Sequence, residues 1–154
     1  MTDKVMTLFL DTSVIGGYFD KEFEQDTRLL FQNIKDGKYR AFVSSTVMEE
    51  LTNAPDKIRQ ALNELDYILI EVSDESFELA DEYIQEKVVG ATSRGDCVHI
   101  ATATINNIDI LVSWNFKHIV NVQRIKGYNS INIRRGYKQL DIRSPKEVVL
   151  RELG

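Results

Sequence analysis

Four short apolar runs mark out the chain: Val5-Met6-Thr7-Leu8-Phe9-Leu10, Ala41-Phe42-Val43-Ser44, Tyr67-Ile68-Leu69-Ile70-Glu71-Val72 and Ile108-Asp109-Ile110-Leu111-Val112-Ser113. Their length and β-branched and aromatic content predict strands. Near-continuous apolarity, rather than alternation, is the pattern of strands buried on both faces. Helical spacing fills the intervals. Residues 22–36 place Leu29, Leu30 and Ile34 on a helical stripe that stops at Gly37, a residue type that commonly ends helices. Ser44 or Ser45 can cap a helix through Val47-Met48-Glu49-Glu50-Leu51. Residues 56–65, 74–87 and 93–107 read as further helices, the last opening at Ser93 or Arg94 with a face of small residues. From about Gly127 the pattern is less regular: Ile131-Asn132-Ile133 and Leu140-Asp141-Ile142 read as short strands, and Ser144-Pro145 opens a terminal helix. Strand and helix in alternation predict an α/β fold with a mostly parallel sheet, whose ligand site lies beyond the carboxyl ends of the strands.

Composition narrows the class. The 154 residues suit one domain, 1–154, and 43% hydrophobic with 28% charged residues is the balance of a folded globular chain. A single cysteine, Cys97, excludes an internal disulfide and reads as a small buried hydrophobe. The N-terminus carries no long apolar segment and no run approaches membrane-spanning length, so a cytoplasmic protein without a membrane partner is expected.

A net charge of −5 argues at first against a nucleic-acid partner, but the charge is divided. From Lys117 onward there are nine Lys or Arg against three acids, a local +6, while the rest of the chain carries −11. Arg134, Arg135, Lys138, Arg143 and Lys146 of this basic segment are candidates for a phosphate-contacting rim, with Arg94 beside Asp96. A solvated tail, or a surface facing the acidic part of a second subunit, accounts for them equally well.

The candidate chemistry follows the strands. Asp11 ends the first run; as the residue before a helix it is also a natural cap. Of Glu49 and Glu50, about 100° apart on a helix, only one can face the sheet edge. Asp96 opens a helix on whose face Ile100 and Ala103 then follow, and the helix dipole favours an acid there in any case. The fourth run ends in Ser113-Trp114-Asn115-Phe116-Lys117-His118. Converging carboxylates repel one another unless a cation neutralises them, and oxygen donors suit Mg²⁺ or Mn²⁺. Such a site holds phosphate oxygens and activates water. His99, three residues after Asp96, reads as a hydrogen-bonded structural group more readily than as a ligand. Trp114 could stack on a base or pack in the core, and Lys117 and His118 could meet phosphate or only solvent.

The segments Leu-Asp-Thr-Ser-Val, Ser-Ser-Thr-Val-Met-Glu-Glu-Leu, Asp-Cys-Val-His-Ile-Ala-Thr-Ala and Leu-Val-Ser-Trp-Asn-Phe-Lys-His, in this order and spacing, resemble the PIN domain family over about residues 5–135. The resemblance implies a three-layer α/β/α sandwich and a Mg²⁺- or Mn²⁺-dependent endoribonuclease. It also implies, as for many small bacterial members, the toxin of a VapBC-type pair with an antitoxin protein and a homodimeric state. By it, Asp11, Glu50 and Asp96 match the metal-holding acids and Ser113 a supporting hydroxyl. Asn115 stands where a fourth Asp is frequent, and an amide can ligate but cannot act as a base. A PIN-like module that binds RNA or protein without cleaving is the competing expectation. A phosphotransferase lacks a second acid at Ser13 and a Gly-x-x-x-x-Gly-Lys loop.

Overall fold

The computed structural model describes residues 4–153, with side chains through residue 150; residues 1–3 and 154 of the expected domain lie outside the described residues. The described strands are β1 (Met6–Leu10), β2 (Tyr39–Ser44), β3 (Tyr67–Ile70), β4 (Ile110–Val112) and β5 (Asp141–Arg143). They form one sheet in the order β3-β2-β1-β4-β5, with every pairing parallel. The helices are α1 (Thr12–Gly17), α2 (Glu24–Lys35), α3 (Ser45–Glu50), α4 (Asp56–Asn63), α5 (Asp74–Gln85), α6 (Arg94–Ile105), α7 (Val122–Arg134) and α8 (Pro145–Leu153), with a 3-10 turn at Ala91–Ser93.

The chain builds outward from β1 to β2 and β3, then returns across the sheet to β4 and β5. Right-handed crossovers in opposite directions put their helices on opposite faces. Accordingly α2 packs with α1 and α8, and α1 with α4, while α5 packs with α6 and α7, which makes the expected three layers. The reversal leaves a crevice between β1 and β4, where α/β sheets place their ligands. Leu10 lies beside Val112 across that pair, so the residues that follow each, Asp11 and Ser113, emerge side by side.

The local signals explain the elements. Ser44 is the cap of α3, its Oγ accepting from the Val47 N–H at 3.1 Å, while Ser45 Oγ accepts from the Val72 N–H. Ser144 and Glu147 exchange hydrogen bonds of 3.3 and 3.1 Å as a capping box in front of α8, with Pro145 at its first position. Helix α6 is buried all round from Cys97 to Thr104 between the sheet and α5; its small residues permit that fit, and the environment explains its missing polar face.

Two local expectations fail. Ile131-Asn132-Ile133 belongs to α7, because Tyr128, Asn129, Ile131 and Asn132 are buried at helical spacing. The Tyr83 hydroxyl donates to Asn132 Oδ1, and Asn132 Nδ2 donates to Thr104 Oγ1 at 3.3 Å, so a buried polar network overrides the β-branched pattern. Leu29 lies on the exposed side of α2, whose buried stripe is Thr27, Leu30, Phe31 and Ile34. No helix among the described residues is long and apolar enough to cross a membrane.

Candidate active site

Asp11 is the best-held residue of the crevice. Leaving β1 in an extended conformation, it caps α1 by accepting from the Val14 N–H at 3.1 Å on Oδ1. The Ser13 hydroxyl donates to the same oxygen at 2.7 Å, and the Ser113 hydroxyl from the end of β4 donates to Oδ2. Cap and site residue are therefore one carboxylate. Ser13 Oγ in turn accepts from the Trp114 N–H at 2.9 Å and Ser113 Oγ from the Asn115 N–H at 2.9 Å, so the two serines join the turn after β1 to the turn after β4. Gly17 tightens the same junction. A Cβ there would stand 2.8 Å from the Trp114 Nε1, so only glycine lets α1 lie against the indole.

Glu50, rather than Glu49, faces inward from the last position of α3. Its Oε1 accepts from the Thr12 hydroxyl at 2.6 Å and contacts His99 Nε2 at 2.8 Å. Asp96 occupies the first turn of α6, and its Oδ2 accepts from Asn115 Nδ2 at 3.1 Å. Asn115 uses its other end to hold its own loop, Oδ1 accepting from the N–H groups of Lys117 and His118 at 3.2 and 3.0 Å.

His99 ties the acids together electrostatically. It is 3% exposed and tilts against the Phe9 ring at 5.9 Å. Burial works against its charged form, but the Glu50 hydrogen bond and the charges of Asp11, Glu50 and Asp96 outweigh burial and hold the imidazole above its ordinary pKa. Burial pushes the Asp11 carboxyl up despite the charge of His99 and the Ser113, Ser13 and Val14 hydrogen bonds. Burial also raises Asp96, against the opposing charges of His99 and His118. At Glu50 burial pulls upward too, yet His99 and Thr12 together carry that carboxyl below its usual value.

Among the described residues no three His, Cys, Asp or Glu side chains are placed to hold a metal ion. Instead, Glu50 Oε1 is engaged by His99 and Thr12, and Asp96 Oδ2 by Asn115. The donors nevertheless fit a hard divalent cation in kind. They are carboxylate and amide oxygens, and two of the acids carry a burial cost that a nearby cation would relieve.

A model of the PIN domain matches residues 8–118. The chain belongs to the PIN domain family. No curated protein matches its sequence significantly. Solved structures resemble the PIN domain described here over nearly its whole length. VapBC2 from Rickettsia felis, bound to a DNA fragment from its promoter, has 17% identity and a TM-score of 0.52, covering 90% of this chain and 98% of its own. VapC20 from Mycobacterium tuberculosis, a sarcin-ricin loop cleaving toxin, has 14% identity and a TM-score of 0.56, covering 87% and 98%. FitAcB from Neisseria gonorrhoeae has 11% identity and a TM-score of 0.54, covering 90% and 97%. At these identities the likeness is one of fold.

Of the residues read from the sequence, the PIN domain brings Asp11, Glu50, Asp96, Ser113 and Asn115 into one connected cluster. His118 stands near enough for its charge to act on Asp96. Arg94 does not join them: its guanidinium pairs with Asp81 of α5 at 2.9 Å and lies over the Phe77 ring. Lys117 contributes its backbone N–H to the Asn115 turn and leaves its side chain exposed. Trp114 belongs to the core, stacked on Phe23 at 4.2 Å and donating to Thr27 Oγ1 at 2.9 Å. Most arginines of the basic segment are engaged internally. Arg134 pairs with Glu82 and Glu86, Arg135 with Glu82, and Arg143 with Asp141 and Glu147. Sequence reading missed Thr12 and Ser13, whose only signal was their hydroxyls next to Asp11; His99, read as a hydrogen-bonded structural group, is buried and bound to Glu50.

Proposed function

We propose that this PIN domain is a Mg²⁺- or Mn²⁺-dependent endoribonuclease that hydrolyses RNA phosphodiesters, and that it is the toxin of a VapBC-type pair whose antitoxin protein covers the site. The observation carrying this reading is the meeting of Asp11, Glu50 and Asp96, from three separate elements, around the charge of His99 at the β1–β4 crevice. Asp11, Glu50 and Asp96 would hold the cation, which supplies Lewis acidity toward phosphoryl oxygens and lowers the pKa of a water.

The rest falls to side chains of this chain. Asp11, hydrogen-bonded on both oxygens, is pre-oriented and loses little freedom on engaging a ligand. Asn115 orients Asp96 without adding a fourth negative charge, and its amide cannot accept the proton of an attacking water. Asp96 is half-buried and held by Asn115, so it presents an oriented carboxylate that can take that proton. His99 anchors Glu50 and offsets the accumulated negative charge. The fold of VapC20, itself a cleaving toxin, supports the reading.

One observation favours a second reading, a PIN domain that binds RNA or protein without cleaving: the acids are partnered by His99, Thr12 and Asn115 rather than placed as a metal group. A single assay separates the two. RNA incubated with Mg²⁺ or Mn²⁺ should be cut by the wild type, with Asp96→Asn slower by on the order of 10³-fold, the scale of several kcal/mol of lost transition-state stabilisation. Equal rates in both proteins, or no cleavage by either across metals and substrates, overturns the nuclease. Sedimentation of the purified chain, alone and with an antitoxin, checks the homodimer and the pair.

A further inference from the structure

The fold uses its two histidines differently. His99 is buried and spends Nε2 on Glu50. His118 lends the fold its backbone: its N–H donates to Asn115 Oδ1 at 3.0 Å, and its C=O accepts from the Tyr128 hydroxyl at 2.8 Å. Tyr128 is fully buried and meets Tyr83 edge to face at 5.0 Å, so residue 118 is pinned between the site and the core. The Asn115 carbonyl fixes the same loop by accepting from the Ile119 and Val120 N–H groups at 3.2 and 2.8 Å. Any residue with an N–H and a C=O could make the two backbone contacts of position 118, so they leave the choice of an imidazole unexplained.

The ring itself has no hydrogen-bond partner among the described residues. Nδ1 is buried without one, whereas Nε2 is not enclosed in this way. A proton on Nδ1 would make a buried N–H with no acceptor, so the neutral ring carries its proton on Nε2, at the open end. Asn115 spans the interval from this residue to the acids: its Oδ1 takes the His118 N–H, while its Nδ2 donates to Asp96 Oδ2 at 3.1 Å. The ring is also near enough for its charge to act on Asp96. An N–H donor that the fold leaves without an acceptor, on a backbone fixed at both ends beside a group of carboxylates, matches an anionic oxygen brought to that group. The carboxylates accept and cannot donate, His99 Nε2 is taken by Glu50, and Arg94 is turned away to Asp81. His118 is the side chain of the cluster with a donor still free.

We propose that His118 is a further catalytic residue of this site, its Nε2–H donating a hydrogen bond to a non-bridging oxygen of the scissile phosphodiester. This rests on the nuclease reading and adds to it the donor that the acids lack. The contact strengthens as negative charge grows on that oxygen in the transition state, so it lowers the barrier more than it tightens binding of the substrate. No proton leaves the ring: the attacking water gives its proton to Asp96 and its oxygen bonds to phosphorus, while the bond from phosphorus to the leaving ribose oxygen breaks and that oxygen is protonated from solvent.

The test compares His118→Ala, His118→Asn and His118→Gln. The side-chain amide of Asn ends at the reach of Nδ1, and that of Gln places an N–H at the reach of Nε2. His118→Ala and His118→Asn are expected to lower kcat by about 10²-fold with KM changed by less than about threefold, while His118→Gln recovers about tenfold of the loss. An RNA with one phosphorothioate at the linkage that wild type cuts, its two diastereomers separated, reads the contact directly, because sulfur accepts hydrogen bonds poorly. The ratio of the two cleavage rates is expected to shift by about tenfold between wild type and His118→Asn, and to stay near the wild-type value in His118→Gln. Thermal melting checks the fold, and should His118→Ala melt lower, the two amide variants carry the comparison. Equal kcat in His118→Asn and His118→Gln, a loss that falls on KM alone, or a diastereomer ratio that no variant moves overturns the assignment of His118 and leaves the nuclease standing. A wild type that cuts no RNA with any metal overturns both.

Discussion

The crevice between β1 and β4 and the basic C-terminal segment both stand out by charge, and the fold treats them in opposite ways. In the crevice, like charges from distant parts of the chain are brought together, with one buried imidazole and a set of hydroxyls and an amide to hold them. In the C-terminal segment, opposite charges are brought together: Arg134 and Arg135 meet Glu82 of α5 and Glu86 just after it, and Arg143 meets its own neighbours. Arg134 and Arg135 of the +6 segment are thus answered by acids elsewhere in the same chain, whereas the gathered acids are answered only in part. Charge that folding leaves uncompensated marks a functional site better than charge that is merely abundant.

The sharpest way to break this contrast is Asp11→Asn. Burial raises the Asp11 pKa in the folded protein, so the native state binds a proton more readily than the unfolded chain. Its ionised form therefore costs stability above the folded pKa, and that cost disappears as the pH falls through it. Asn keeps a capping oxygen, and the two serine hydroxyls can rotate to meet an amide. The variant should melt higher than wild type at neutral pH without metal, while losing cleavage by on the order of 10³-fold. Mg²⁺ near 100 times its Kd should then stabilise wild type by about 2.7 kcal/mol and the variant far less. Lower melting in the variant, or equal stabilisation by Mg²⁺, would remove Asp11 from the strained group.

His99→Gln tests the compensation itself. His99 has a raised folded pKa, so its contribution is fully present below the unfolded value near 6.5 and is lost as pH rises through the folded pKa. Glu50 is lowered, so its contribution is present above its unfolded value near 4.5 and is lost as pH falls through the folded pKa. The pair is strongest between those limits. Urea unfolding in EDTA should show His99→Gln costing more stability near pH 6 than near pH 9, and a pH-independent cost would mean that shape alone matters at this position.

The smallest effects belong to the basic segment. Arg134→Gln should leave RNA affinity within about twofold and the salt slope unchanged, because that guanidinium already has partners in Glu82 and Glu86. Lys117→Gln should reduce the slope of log affinity against log salt by about one. Reversal of the two results would move the phosphate track from the crevice rim to α7.

Legibility in the sequence followed the range of the forces involved. The four main strands could be read because their apolar runs must be buried whatever else the chain does, and Ser44, Ser144 and Pro145 marked helix starts through contacts within a few residues. Asp11, Asp96 and Asn115 were visible because a polar residue at a strand end or in a first helical turn has few other places to go. Ile131-Asn132-Ile133 misled, since its helical state depends on Tyr83 and Thr104, which are remote in sequence. Arg94 misled for the same reason, since Asp81 claims it, and Trp114, open in the sequence between a base and the core, is settled in the core by Phe23 and Thr27.

The sequence by itself therefore determined the parallel α/β class, the order of its main elements and the carboxylates at their ends, because strand burial and helix capping are decided by residues near in the chain. Only the tertiary structure decided that Glu50 rather than Glu49 turns inward, that His99 stands among three acids, that two serines bind the turn after β1 to the turn after β4, and that Arg134 and Arg135 of the basic segment pair at the end of α5. Each of these depends on a pairing across tens of residues, and such a pairing becomes definite only when the sheet order sets which strand ends are neighbours.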